Sequence, residues 1–267
     1  MKRLLGLAVI VAAAPLWAGV RIKVDLTDLK TGKVTQQDIL LDAERLRVDM
    51  GGEGGGNSVF FLTDGGRNRI VILDKSRNEY REMDQQTMAQ MGQMMQGAMA
   101  QMQSQLANLP PEQRARVEQM MRGRMGQAGA AAQGPRTTFT AKGSSTANGF
   151  ACTKYEGMSG AEKVSEVCAA KPADLHFSAA DFQVFEKMRE FTASLTGALA
   201  NSPLANMRMA DFAQQGFEGF PVQQTIFTGG QASMKTDVKS VDRANLSDAD
   251  FSLGSARKAE LMPGRGR

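Results

Sequence analysis

Val20-Arg21-Ile22-Lys23-Val24-Asp25-Leu26 places an apolar side chain at every second position, with Arg, Lys and Asp between them. That is the period of a β-strand with one face in a core and the other in water. The residues after it repeat the pattern. Thr31-Gly32-Lys33 turns the chain into a strand over 34–41, and Leu46, Val48 and Met50 then alternate with Arg47 and Asp49. A glycine-rich stretch at 51–56 leads to a strand at 59–62, Asp64-Gly65-Gly66 to one at 70–73, and Lys75-Ser76-Arg77-Asn78 to one at 80–83. Six strands joined by short polar turns pair as an antiparallel meander, because parallel neighbours need long crossovers. The glycine stretch is no phosphate cradle: no GxGxxG register fits it, no Gly-Lys-Ser/Thr follows, and strands rather than a helix flank it.

The period changes at Asp84. From there to Leu106 the apolar residues fall at helical intervals, and Asn108-Leu109-Pro110-Pro111-Glu112 reads as a helix stop and restart. A second helix to about Met125 makes 84–126 a helical insertion. Residues 127–134, rich in Ala, Gly and Gln, form a connection. Strand signals return at 137–141, 150–155 and 164–169. Ser178-Ala179-Ala180-Asp181 resembles a capping box ahead of a helix carrying Phe182, Phe185, Met188, Leu195 and Leu199. Asn201-Ser202-Pro203 ends that helix, and a short helical piece follows to Phe212. Gly229-Gly230 sits between strands at 222–227 and 233–238, which suits a hairpin, and Phe251 and Leu253 suit a last edge strand. Residues 255–267 read as a flexible basic tail. Strands, helices, strands, helix, strands is an α+β order.

The first residues carry the three parts of a secretory leader. Lys2 and Arg3 are basic, 4–14 is an unbroken run of small and apolar side chains, and Pro15-Leu16-Trp17-Ala18 supplies a cleavage site before Gly19. The run is too short to span a bilayer. Cleavage near Ala18 is expected to release one domain over 19–254 into the periplasm or outside the cell. No Cys follows the apolar run, and no second apolar stretch approaches spanning length, so neither a lipid nor a transmembrane anchor is expected. Losing Lys2 and Arg3 with the leader takes the formal charge from +4 to +2. Such a balance gives no reason to expect nucleic acid as a partner. Trp17, the single tryptophan, leaves with the leader.

Methionine is the unusual residue. Ten of the 18 lie between Met83 and Met125, and Met88, Met91, Met95, Met99, Met102 and Leu106 follow one another at spacings of 3, 4, 4, 3 and 4. On a helix that is one stripe. It has three readings. An amphipathic helix packing on the sheet needs such a stripe. A groove for varied apolar ligands would use it too, because Met is unbranched and polarizable. Thioethers also accept Cu(I), but no His or Cys stands near to complete a site, and neither metal nor cofactor is expected. Arg114, Arg116, Arg122 and Arg124 give the second helix positive charge against Glu112 and Glu118. A solvated face explains them, as would attraction to anionic headgroups or an acidic partner.

Two cysteines in an exported chain favour a disulfide. Cys152 and Cys168 lie eight residues either side of Gly160. A hairpin centred there would set them directly opposite each other, close enough to bridge. Catalytic constellations are missing from the sequence. His176 is the single histidine, which excludes HExxH and any multi-histidine zinc site. No GxSxG elbow accompanies it, and between Leu175 and Phe177 it reads as a packing or surface residue. Asp248 and Asp250 read as solvated turn residues. No catalytic residue is assigned and an enzyme is not expected.

Three local patterns carry a family resemblance: the Asp/Arg-rich meander ending in Asn78-Glu79-Tyr80, Leu109-Pro110-Pro111-Glu112-Gln113-Arg114 after a Met/Gln helix, and Gly149-Phe150-Ala151-Cys152-Thr153-Lys154-Tyr155. Their order, over about 20–253, resembles an uncharacterised family of exported bacterial proteins whose architecture is similar to the LolA/LolB lipoprotein carriers. The resemblance implies a single curved antiparallel sheet, a half-barrel, with the Met-rich helices and the helix from Phe182 covering one face. A half-barrel must fill its mouth with something apolar, either its own helices or a lipid. The expected function is an exported module that handles a hydrophobic ligand: a lipid, an acyl chain or a lipoprotein. Met88, Met91, Met95, Met99, Met102 and Leu106 would line its groove. The alternative is a structural or envelope-sensing domain that binds a protein partner and no small ligand.

Overall fold

The computed structural model describes residues 19–51, 56–107, 110, 137–198 and 216–260; within its helices, the side chains at 91, 95–96, 98–99, 102–103, 105–107 and 195–198 stand outside that description. The leader, the expected helices at 112–125 and 203–212 with their arginines, the connection at 127–134, and the tail beyond 260 also lie outside it.

The first meander contains six strands, as its alternation predicts: β1 (Gly19–Asp28), β2 (Val34–Leu41), β3 (Arg45–Met50), β4 (Asn57–Asp64), β5 (Arg67–Asp74) and β6 (Glu79–Asp84). Helix α1 (Gln85–Ala107) follows. A second meander contains β7 (Thr137–Ala147), β8 (Phe150–Ser159), β9 (Glu162–Ala170), β10 (Phe220–Thr228) and β11 (Gln231–Ala244), with helix α2 (Gln183–Ala198) between β9 and β10. Asn148-Gly149, both at positive φ, closes the β7–β8 hairpin in two residues, the conformation such a tight hairpin requires.

All strands join one sheet in the order β12-β6-β5-β4-β3-β2-β1-β11-β10-β9-β8-β7, where β12 is Arg257–Lys258. The two meanders meet along a single seam: β1 pairs antiparallel with β11, from Gly19 opposite Ala244 to Asp28 opposite Met234. A Cβ on Gly19 would stand 2.7 Å from the Leu41 carbonyl oxygen and 2.6 Å from Leu246 Cδ1, so the strand can start there only with glycine. Bulges interrupt the β1–β11, β7–β8, β8–β9, β9–β10 and β10–β11 ladders. Each bulge bends its strand, and the sheet is curved and unclosed. The α+β half-barrel expectation holds.

The sheet carries a core on each face. On the inner face Val20, Ile22, Val24, Leu41, Leu46 and Phe61 pack with Met88 of α1 and Val184 and Phe191 of α2. Both helices are placed by carboxylates. Thr87 N–H donates to Asp84 Oδ1 at 2.7 Å at the start of α1. Ahead of α2, Ser178 and Asp181 form the expected capping box, on a 3-10 turn over Ala179–Phe182. Buried Asp181 Oδ2 also accepts from Arg243 of β11 at 2.5 Å, which ties the helix to the seam.

The outer face corrects the reading of the C-terminus. Phe251 and Leu253 are not on an edge strand. Ser247 N–H and Oγ donate to Asp250 Oδ2 at 2.8 and 2.9 Å, winding Asp248–Phe251 into a 3-10 turn. That turn opens a strap across the sheet: Leu246 and Phe251, with Leu253 and Ala256, cover Leu40, Phe60, Leu62, Val71 and Leu73. Arg45 pins it, its guanidinium 4.3 Å from the Phe251 ring centroid and 2.7 Å from Asp248. Arg47 donates to the Asp250 carbonyl at 2.6 Å. The strap ends as β12, the one strand among the described residues that pairs parallel, with Arg257 beside Glu79.

Candidate functional site

Met88 is 5% exposed and belongs to the inner core with Phe61 and Phe191. Residues three and four apart share a helix face, so positions 91, 95, 99, 102 and 106 follow Met88 along the same line of α1. The side chains of Met91, Met95, Met99, Met102 and Leu106 lie outside the described residues, so of the expected groove only Met88 is placed. Among the described side chains on the other faces of α1, Gln90, Gln93 and Gln101 are exposed, and Met94, off the stripe, is 65% exposed.

A cleft of about 380 Å³ opens where the β4–β5 turn meets the first turn of α1 and the middle of α2. Gly66 comes from the turn, Arg67 and Asn68 from the start of β5, Gln85 and Gln86 from α1, and Glu190, Phe191 and Ser194 from α2. Asp84 is on its rim. The side-chain and backbone hydrogen bonds from Thr87 hold its carboxyl below the usual range. Phe191 is the apolar wall, its ring centroid 5.9 Å from that of Phe61. These residues come from three separated segments with no motif in common, so the sequence reading did not assemble them.

A second depression, about 620 Å³, lies on the outer face beside the strap, between Asp42–Arg45, Leu62–Asp64, Arg69 and Phe251. Its ionic groups largely answer one another. Arg45 bridges Asp42 and Asp248, each at 2.7 Å, and Arg69 reaches Glu82 at 3.4 Å.

Cys152 and Cys168 form the expected disulfide, with Cα atoms 5.5 Å apart. The register behind it differs from the symmetric hairpin. The turn is Gly160-Ala161 rather than a hairpin centred on Gly160, and a bulge beside Gly157 shifts the pairing by one residue more, so Cys168 stands opposite Lys154 and the bridge runs diagonally. Both sulfurs are buried in the inner core near Ala170 and Val222.

Elsewhere, buried Asp237 and half-buried Asp49 are each held by several donors. Asp237 accepts from Asn148 at 3.0 Å, Gln223 at 2.8 Å and Lys235 at 3.0 Å. Burial pushes its pKa up, but these hydrogen bonds outweigh it and hold the carboxyl below its ordinary value. Asp49 shows the same balance, with Ser58, Arg47 and Lys75 as donors. His176 is an exposed residue at φ 57° after a 3-10 turn. Among the described residues no three His, Cys, Asp or Glu side chains are grouped to hold a metal ion, and no helix is long and apolar enough to cross a membrane.

No curated protein matches the chain significantly. Among solved structures it is similar to an uncharacterized conserved protein from Thermus thermophilus, at 10% identity and TM-score 0.45 over 92% of this chain and 91% of that one. It is also similar to a chain of the Pseudomonas aeruginosa MucA/MucB complex, at 10% identity and TM-score 0.39, covering 90% of this chain and 57% of that one. A third likeness is to PNGF-II, at 7% identity and TM-score 0.38, where the chain spans 30% of the longer protein. The family model described as a domain of unknown function (DUF4412) matches residues 61–255. Matched over more than half its length, the chain belongs to that family.

Proposed function

We propose that this protein is an exported, non-enzymatic binding module of the bacterial periplasm. Its ligand is a lipid, an acyl chain or the acylated end of a lipoprotein, held between the inner sheet face and the Met stripe of α1. The observation that carries the reading is Met88. The first methionine of the stripe packs against the sheet while the Gln-rich faces of α1 meet water, so helical periodicity directs the next stripe positions the same way. A row of unbranched thioethers there suits apolar ligands of varied shape. Export accords with the disulfide, which persists in oxidising compartments, and with a leader that ends one residue before β1 begins.

The test is to compare Met→Ala and Met→Leu at 91, 95, 99 and 102, with melts beside titrations of a fluorescent acyl-chain probe. A groove predicts weaker probe binding in the Ala variants with little change in melting, and a narrower ligand range in the Leu variants. Large melting losses in the Ala variants, with no specific probe binding by the parent, would remove the ligand reading. Native mass spectrometry of protein taken from its own compartment, followed by lipid extraction, would identify the ligand.

A second reading is an interaction domain that binds a protein partner and no small ligand. What favours it is the filling of the inner face by the chain's own Phe61, Val184 and Phe191, each at most 4% exposed.

A further inference from the structure

The geometry points to the cleft between the β4–β5 turn, α1 and α2 as the entrance for the apolar ligand, selecting an amphiphile with an uncharged hydrogen-bonding head over one with a carboxylate. The inference rests on the apolar-ligand reading above and names the head group that site would take.

Position comes first. The cleft lies at the first turn of α1, and Met88 follows Gln85 and Gln86 within one turn. An acyl chain passing this mouth meets Phe191 and then the line of the stripe. From Met88 to Leu106 the α1 backbone runs about 27 Å at the helical rise, comparable to the length of a long acyl chain.

Chemistry decides the head. The cleft is lined by one cation, Arg67, against two carboxylates, Asp84 and Glu190; Lys258, which also acts on Asp84, is held by Glu82 at 3.0 Å. A carboxylate head would add a third negative charge to a site already short of one positive. An uncharged ester or hydroxyl head avoids that repulsion and still finds partners. Gln85 and Gln86 offer amides on the exposed first turn of α1. Asn68 accepts from Thr63 Oγ1 at 2.8 Å through its carbonyl, so its amide hydrogens are not used in that bond. Ser194 donates to the Phe191 carbonyl at 2.7 Å, and its oxygen can still accept. Neutral donors and acceptors in this number around one apolar wall match a small polar head on a hydrocarbon chain.

The experiment uses the exported chain, a monoacylglycerol probe and a fatty-acid probe with the same fluorescent chain, at neutral pH and low salt. The monoacylglycerol is expected to bind about 5-fold more tightly, the size of discrimination that one net charge about 4 Å away produces through bulk water at low salt. Glu190→Gln should close most of that gap, and because Glu190 is exposed the fold should be unaffected. Equal binding of the two probes, a preference for the fatty acid, or a gap that Glu190→Gln leaves unmoved would overturn the inference while the apolar-ligand reading stands. If neither probe binds, both fall together.

Discussion

Removing the Cys152–Cys168 bridge should destabilise the protein by about 3 kcal/mol, and the loss should be shared by the two cysteines rather than summed. The bridge joins residues 16 apart, and closing a loop of that size in the unfolded chain is worth about 3 kcal/mol. For a domain of this length that corresponds to a fall in melting temperature of roughly 6–12 °C. Cys152→Ser or Cys168→Ser each loses the bridge and also sets a hydroxyl into the inner core beside Ala170 and Val222, a further cost of about 1 kcal/mol or more. The double variant loses the bridge only once. Its total should therefore fall short of the sum of the single variants by about 3 kcal/mol. Reduced parent protein isolates the covalent bond, since both sulfurs remain in the core. The assay is urea unfolding of the parent, oxidised and reduced, and of the three variants, with thiol alkylation and mass measurement to count free sulfurs. Additive single losses, or an unchanged midpoint in parent shown to carry two free thiols, would refute the reasoning.

Asp181→Ala should cost about 2–3 kcal/mol, the usual value for losing hydrogen bonds to a charged group, because it removes the cap of α2 and its tie to Arg243 at once; urea midpoints measure it. Asp237 has a depressed folded pKa, so its contribution is complete above the ordinary value of 3.8 and is lost as pH falls through the lower folded one. Melting temperature should hold from neutral pH to about pH 4 and drop below it, and Asp237→Asn should flatten that drop. Phe251→Ala should loosen the strap before it unfolds the domain. The amides of Arg257 and Ala259, which donate to Asn78 and Tyr80 carbonyls at 2.9 and 2.8 Å, should exchange with deuterium much faster, while β1 and β11 keep their protection.

How much of this was legible differs by element. The strands of the first meander announce themselves, because half-buried strands must alternate and their turns must hold Gly, Asn and Asp. The Asn148-Gly149 hairpin and the Gly229-Gly230 turn are equally local. The diagonal disulfide was not legible: the turn falls at Gly160-Ala161 rather than on Gly160, and a bulge adds one more residue to the ladder without leaving a mark in the hydrophobic pattern, yet shifts every pair beyond it. The strap was misread for a related reason. Phe251 and Leu253 alternate as strand residues do, but the Ser247 and Asp250 side chains satisfy the local backbone and wind it instead. Hints of the outer core were present, in that Phe60-Phe61-Leu62 and Ile70-Val71-Ile72-Leu73 are apolar on both faces, as strands covered twice must be. At the candidate site Met88 is buried, as a packing helix face requires, and the later stripe side chains lie outside the described residues. The cleft was not legible, because Asn68, Gln85 and Glu190 come together only once the helices are docked.

The seam between β1 and β11 also bears on how the chain reaches this structure. Each meander is built from hairpins between neighbours, and such pairs form within microseconds. The seam instead joins residues about 220 positions apart, and contacts that distant are what slow folding. Two half-sheets with exposed seam edges, one along β1 and one along β11, would thus precede the whole. For the exported chain proposed above, that delay is useful: the ladder that locks the sheet cannot close until β11 has passed the membrane.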